Sequence, residues 1–134
     1  MTKYLLDTNT FIYIRQRRPM AARARFEQLA SGDMALSVVT LGELAYGVER
    51  SVNRTEKLRD LRELTNQMVV LPLPAEAGET YGAFRASLGR RGETIGNNDL
   101  WIAAHAHVAN LILVTNNERE FARIPELTIE NWTR

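Results

Sequence analysis

No cysteine occurs in this chain. That single absence removes disulfides, thiolate zinc sites and cysteine nucleophiles together, and it suits a reducing cytoplasm. Long hydrophobic runs are missing too. Only Tyr4 to Leu6 precede Asp7 as an apolar stretch, too short for a signal peptide, and no later segment approaches the ~20 residues of a membrane span. The expectation is a cytoplasmic protein without a membrane partner. Glycine and proline are sparse, at eight and four residues, and gather into no linker, repeat or low-complexity tract. Gly89, Gly92 and Gly96 lack the lysine and the strand-turn-helix setting of a phosphate-cradling loop. Excess charge of one sign is also absent: 17 Lys and Arg face 16 Asp and Glu, a net charge of +1, so overall balance does not announce a nucleic-acid binder.

What is present is ordinary globular composition, 45% apolar and 25% charged over 134 residues. Residues 1–134 are expected to form one domain, large enough to bury a core without staples. Tyr4-Leu5-Leu6 does not alternate with polar residues and reads as a strand buried on both faces, as in a parallel sheet. Further strands are expected at 34–39, 68–73, 111–115 and 128–129. Helices are expected at 9–17, 19–30, 40–50, 55–67, 75–88 (ended by Gly89) and 97–108, with a helical turn at 118–121. Strands alternating with helices imply an α/β fold with three α/β/α layers, built on a central, mostly parallel sheet of four to five strands.

Asp7 sits where the first strand runs out, and in open α/β sheets ligands collect beyond the carboxyl ends of strands. The same residue could equally cap the following helix. Two other acids take comparable places. Glu43 falls just after the second strand, and Asp99 opens the helix at 97–108. Each has a local alternative, since Thr40 with Glu43 forms a capping-box pattern and Asp99 in a first turn favours the helix dipole. Spacing does not show that these carboxylates meet. If they do, they form an oxygen-only site suited to Mg²⁺ or Mn²⁺ and not to zinc.

Arginine is unevenly distributed. Arg15, Arg17, Arg18, Arg23 and Arg25 occur without an intervening acid, and Arg85, Arg90 and Arg91 form a second group. Arg15, Arg17, Arg18, Arg85, Arg90 and Arg91 are candidate phosphate contacts, weighed against solvated helix faces and dipole complementation. His105 and His107, two residues apart on a helix, point to different sides and make no joint metal site. Trp101 and Trp132 read as packing residues.

Several motifs carry a resemblance when taken in series: Leu6-Asp7-Thr8-Asn9; Thr40-Leu41-Gly42-Glu43-Leu44 followed by Gly47; Ile95-Gly96-Asn97-Asn98-Asp99-Leu100-Trp101-Ile102-Ala103-Ala104-His105-Ala106; Leu113-Val114-Thr115-Asn116-Asn117 with Arg119-Glu120-Phe121; and Glu130-Asn131-Trp132. Together, in order and over nearly the whole chain, they resemble the PIN-domain VapC toxins. The resemblance implies a Mg²⁺-dependent endoribonuclease (Mn²⁺ substituting), with a transfer RNA as the leading substrate class. It also implies a VapB-like antitoxin as partner; a homodimer is the expected assembly. Asp7, Glu43 and Asp99 match the family's metal-binding acids, and Thr8, Asn9 and Thr115 match polar neighbours that orient them. One position departs: many relatives carry an acid where this chain has Asn117, an amide that offers an oxygen but no charge. Glu120, at another position often acidic in the family, is the candidate to compensate. The competing expectation is a non-catalytic module of the same fold that binds RNA or protein. A phosphotransferase using Asp7 as nucleophile is disfavoured, because Asn9 stands where such enzymes want a second aspartate.

Overall fold

The computed structural model describes residues 1–134. Five strands form one sheet in the order β3-β2-β1-β4-β5: β1 (Tyr4–Leu6), β2 (Met34–Ser37), β3 (Val69–Leu71), β4 (Ile112–Val114) and β5 (Ile129–Glu130). Every pairing is parallel, so the sheet is wholly rather than mostly parallel. The helices are α1 (Thr8–Gln16), α2 (Met20–Glu27), α3 (Val38–Glu49), α4 (Arg54–Thr65), α5 (Ala77–Arg90), α6 (Asn97–Val108) and α7 (Glu118–Phe121).

The unbroken apolar run of β1 follows from its central place. Leu5 packs on one face with Ala35, Leu113, Phe84 and Leu100. Tyr4 and Leu6 pack on the other with Phe11, Ile14, Leu36, Leu44 and Leu61. Side chains alternate between sheet faces, so a strand covered on both must be apolar at every position. Two cores on opposite sides of one sheet make three layers. Connections from β1 to β3 run through α1–α4 on one face, and those from β3 to β4 run through α5 and α6 on the other. The chain therefore changes face beside β1, and the crevice beyond the carboxyl ends of β1 and β4 is a topological switch point.

Several boundaries differ from the sequence-based expectation. α1 starts at Thr8 rather than Asn9, because the Asp7 carboxylate accepts the Thr10 N–H at 2.8 Å and serves as N-cap. β2 ends at Ser37 rather than Val39. Ser37 Oγ accepts the Val39 N–H at 3.1 Å, and the helix begins at once. Thr40 is then inside α3 with a buried, unpartnered hydroxyl, and the capping box with Glu43 does not form. α5 runs through Gly89 to Arg90; the left-handed turn falls on Gly92, at φ +67°, where a residue without Cβ has no steric penalty. The second helix stops at Glu27, and Ser31–Asp33 forms a 3₁₀ turn in which the Asp33 side chain accepts the Ala30 N–H at 3.0 Å.

Candidate functional site

Asp7 is buried, at 4% exposure, directly beyond the end of β1. Its backbone N–H reaches the Val114 carbonyl at 3.0 Å, tying it to β4. Burial raises its pKa, opposed by hydrogen bonds from the Thr115 hydroxyl and from Thr10, with the Glu43 charge adding a smaller upward push. Capping and site membership are thus compatible roles for one carboxylate. Thr115, fully buried at the end of β4, also accepts the Asn117 N–H at 2.9 Å, so one hydroxyl steadies both Asp7 and the turn leading to α7.

Glu43 comes from α3, one turn deeper than a capping position, and receives the Thr8 hydroxyl at 2.6 Å. Asp99 is the third residue of α6 and half-buried. Its pKa is pushed up to about 6 by burial and then by the negative charges of Glu43, Asp7 and Glu120, in that order. Glu120, on α7, accepts the Asn117 side-chain amide at 3.0 Å. Four acids from separate elements therefore act on one small volume at the switch point. They do not close into a cage: no three His, Asp or Glu side chains are arranged to hold a metal ion. The donor set is carboxylate and amide oxygen throughout, which fits a hard divalent cation.

Of the supporting residues expected, Thr8 and Thr115 contact Glu43 and Asp7, whereas Asn9 lies exposed on α1 and takes no part in these contacts. Two residues were missed. Thr10 is buried, gives its N–H to Asp7 and donates its hydroxyl to the Val114 carbonyl at 3.1 Å; its place three residues after a capping aspartate was the available signal. His105 is buried at 1% exposure with Nδ1 2.9 Å from Ser37 Oγ, joining the helix that carries Asp99 to the cap of the helix that carries Glu43. Burial lowers its pKa. Nothing in the sequence links positions 37 and 105, because the contact depends on how α3 and α6 pack. His107 is exposed and tilts against Phe84 at 5.5 Å, so the two histidines do point to different sides. Trp132 is buried edge-on against Tyr4. Trp101 is half-buried and stacks on Tyr81 at 3.9 Å.

The basic run from Arg15 to Arg25 does not form one surface. Arg23 pairs with Glu27, and Arg25 binds the Tyr4 hydroxyl and Glu130. Arg17 and Arg18 are exposed beyond α1, Arg90 at the end of α5, while Arg91 is taken up by Glu93 and the Arg123 carbonyl. Arg15 lines a groove of about 850 Å³ that opens beside Thr8, Glu43 and Asn98. Ile12, Val38, Val39 and Tyr46 give it apolar walls, and Arg50 and Lys57 add further cations.

The Asp99 environment has a measurable consequence. Its carboxyl binds a proton more tightly folded than unfolded, so its contribution is full below about pH 4 and is lost as pH rises through about 6. Without divalent cations, part of the melting temperature should fall across that window, and Asp99→Asn should flatten the fall. A divalent cation should restore more melting temperature above pH 6 than below it. Melting curves of both proteins with Mn²⁺ and with chelator check this; an identical pH dependence in the two would refute the clustering of charge around Asp99.

Comparison with known proteins places these residues in a context. The PIN domain family model matches residues 4–127. The chain is 41% identical over 132 residues to Ribonuclease VapC2 of Haemophilus influenzae, covering 98% of this chain and 99% of that one. It is 41% identical over 133 residues to the tRNA(fMet)-specific endonuclease VapC of Shigella flexneri, covering 99% and 100%. Among solved structures, DNA-bound VapBC from Salmonella typhimurium superposes with a TM-score of 0.92 at 40% identity, covering 98% of this chain and 99% of that chain. VapBC2 from Rickettsia felis bound to a promoter DNA fragment gives 0.90 at 37%, with the same coverage.

Proposed function

This chain belongs to the PIN-domain family, and from that premise we propose that it is a metal-dependent endoribonuclease, the toxin of a VapBC-type toxin-antitoxin pair. PIN-domain nucleases generally use divalent metal ions; here Mg²⁺ is the proposed cofactor, with Mn²⁺ able to substitute. The observation that carries this reading is the convergence of Asp7, Glu43, Asp99 and Glu120 on one volume, expressed in the raised pKa of Asp99. Carboxylates gathered in a crevice, one with its pKa raised by burial and by its neighbours, mark a candidate functional site.

Asp7, Asp99 and Glu43 would hold the cation, with Glu120 and the Asn117 amide oxygen completing the set. When bound, such an ion activates water and stabilises charge at phosphorus. The protein's own contribution is positioning. Thr115 and the Thr10 N–H fix Asp7, and Thr8 fixes Glu43. The Asn117 amide restrains Glu120, so the neutral residue at 117 supports an acid where many relatives place one. A transfer RNA is the proposed substrate class, supported by the names of relatives that cleave tRNA(fMet). An antitoxin is the proposed partner, supported by relatives solved as VapBC assemblies. Its apolar side chains would lie in the groove beside Glu43, and a basic side chain would enter near Asp7 and Asp99, where acids attract it.

The test is incubation of the purified chain with bulk transfer RNA in Mg²⁺, in Mn²⁺ and in chelator. Discrete fragments are expected only with metal, and expression of the chain alone should arrest growth. Tight RNA binding without cleavage in any metal would instead favour the non-catalytic binding module.

A further inference from the structure

Outside the carboxylate cluster, α5 and α6 hold a second arrangement of polar and aromatic side chains. Tyr81 and Trp101 stack with ring centroids 3.9 Å apart and planes 14° from parallel, which fixes the Tyr81 ring and so the direction of its hydroxyl. That hydroxyl donates to Asn97 Oδ1 at 3.2 Å and accepts from Arg85 Nη1 at 2.9 Å. Arg85 is exposed. The ion pairs of the chain join Arg23, Arg25, Arg54, Arg91 and Arg134 to acids, and Arg85 is not among them. It is a cation held in position by a neutral phenol, with its charge uncancelled by any carboxylate.

Its location gives the charge a use. Asn97 is the first residue of α6 and Asp99 the third, so the two side chains leave the same N-terminal turn on different sides, Asn97 towards the Tyr81 hydroxyl and Asp99 towards the other acids. Asn98, between them, lines the groove beside Thr8 and Glu43. A polyanion approaching this end of the sheet meets four acids that repel it, and a cation bound among them offsets that field only locally. A fixed guanidinium linked through Tyr81 to the first turn of α6 would supply attraction to the strand beside the scissile bond, and its planar fork suits phosphate oxygens.

We propose that Arg85, oriented by the Tyr81 hydroxyl, holds a backbone phosphate of the RNA strand next to the carboxylate site, with Trp101 as the residue that locks Tyr81 in place. The proposal rests on the endoribonuclease reading above. It assigns Arg85 to RNA rather than to the antitoxin because what it offers is an exposed cation on an oriented hydrogen bond, paired with no carboxylate.

The experiment measures binding of fluorescently labelled bulk transfer RNA to the Asp7→Asn protein in Mg²⁺ over a range of KCl concentrations. Adding Arg85→Ala should weaken binding about tenfold and lower the slope of log affinity against log salt by about one. Arg85→Lys should keep the slope and lose part of the affinity. Tyr81→Phe retains the stack but removes the tether, and should keep the slope while weakening binding about threefold, on the scale of one solvent-exposed hydrogen bond. Arg54→Ala, which removes a cation already paired with Glu49, should change neither quantity. Unchanged affinity and slope in Arg85→Ala, with the Asp7→Asn parent binding RNA, overturns this proposal alone. Failure of the parent to bind RNA overturns the nuclease reading and this proposal with it. Loss of antitoxin inhibition in an otherwise wild-type Arg85→Ala protein, with RNA affinity unchanged, assigns Arg85 to the protein partner and also overturns it.

Discussion

Asp7→Asn, Asp99→Asn and Glu43→Gln are each expected to lower metal-dependent RNA cleavage by about two to three orders of magnitude, while the protein stays folded. The size follows from the several kcal/mol of charge stabilisation that a bound divalent ion provides, at about 1.4 kcal/mol per factor of ten. Retention of fold follows from local chemistry. Asparagine caps helices as well as aspartate, so Asp7→Asn keeps an oxygen for the Thr10 N–H now accepted at 2.8 Å. Glu43→Gln keeps an oxygen for the Thr8 hydroxyl. Removing any one charge also relieves repulsion on the others, which adds to burial in raising the Asp99 pKa to about 6; in chelator the variants should therefore melt no lower than the parent. Single-turnover cleavage of one transfer RNA, with circular dichroism and melting in parallel, checks both halves. Cleavage within tenfold of the parent in Asp7→Asn, or activity that survives chelator, would remove these acids from the chemistry.

Phe11→Ala is expected to cost about 3–5 kcal/mol of stability, a large share of the 5–15 kcal/mol typical of a whole domain. Phe11 has no exposed surface and packs in the core formed by α1–α4 against the sheet. It lies one helical turn beyond Asp7, on the element that also presents Thr8 to Glu43, so the same packing that stabilises the fold holds α1 at its angle to the site. Urea unfolding should show a lower midpoint with an unchanged slope. Val52→Ala, at a residue 98% exposed, should stay within about 0.5 kcal/mol. A loss below about 1 kcal/mol for Phe11→Ala would mean that α1 is not seated on the sheet in this way.

Much of this protein is legible from local signals. The unbroken apolar runs at Tyr4–Leu6 and Met34–Leu36 announce strands covered on both faces, because a two-sided strand has no position where a polar side chain finds water. Their alternation with amphipathic helices then implies parallel pairing and three layers. Asp7 is legible as well, since a carboxylate at a strand end followed by helix is a cap and a crevice residue at once. Motif order along the chain was enough to name the family, and from it Asp7, Glu43 and Asp99 are proposed as the metal-binding acids. Boundaries were less accessible: Thr40 and Ser37 are both competent caps, and the choice of Ser37 depends on where β2 leaves its neighbours in the sheet.

Tertiary structure alone decided how the acids relate. Residues 7, 43, 99 and 120 are far apart in sequence, and their mutual repulsion exists only because β1 ends, and α3, α6 and α7 begin, around one switch point. The same is true of Asn117, whose side-chain amide donates to Glu120, a contact that its neutral character alone does not announce. It is true of the arginines: those at 23, 25 and 91 are spent on acids and carbonyls, whereas Arg85 is left free of carboxylates on a phenol beside α6. Periodicity and caps are properties of neighbours in the chain, whereas the field at a carboxylate or the partner of a guanidinium falls off over a few ångströms of space, and only packing brings those distances about.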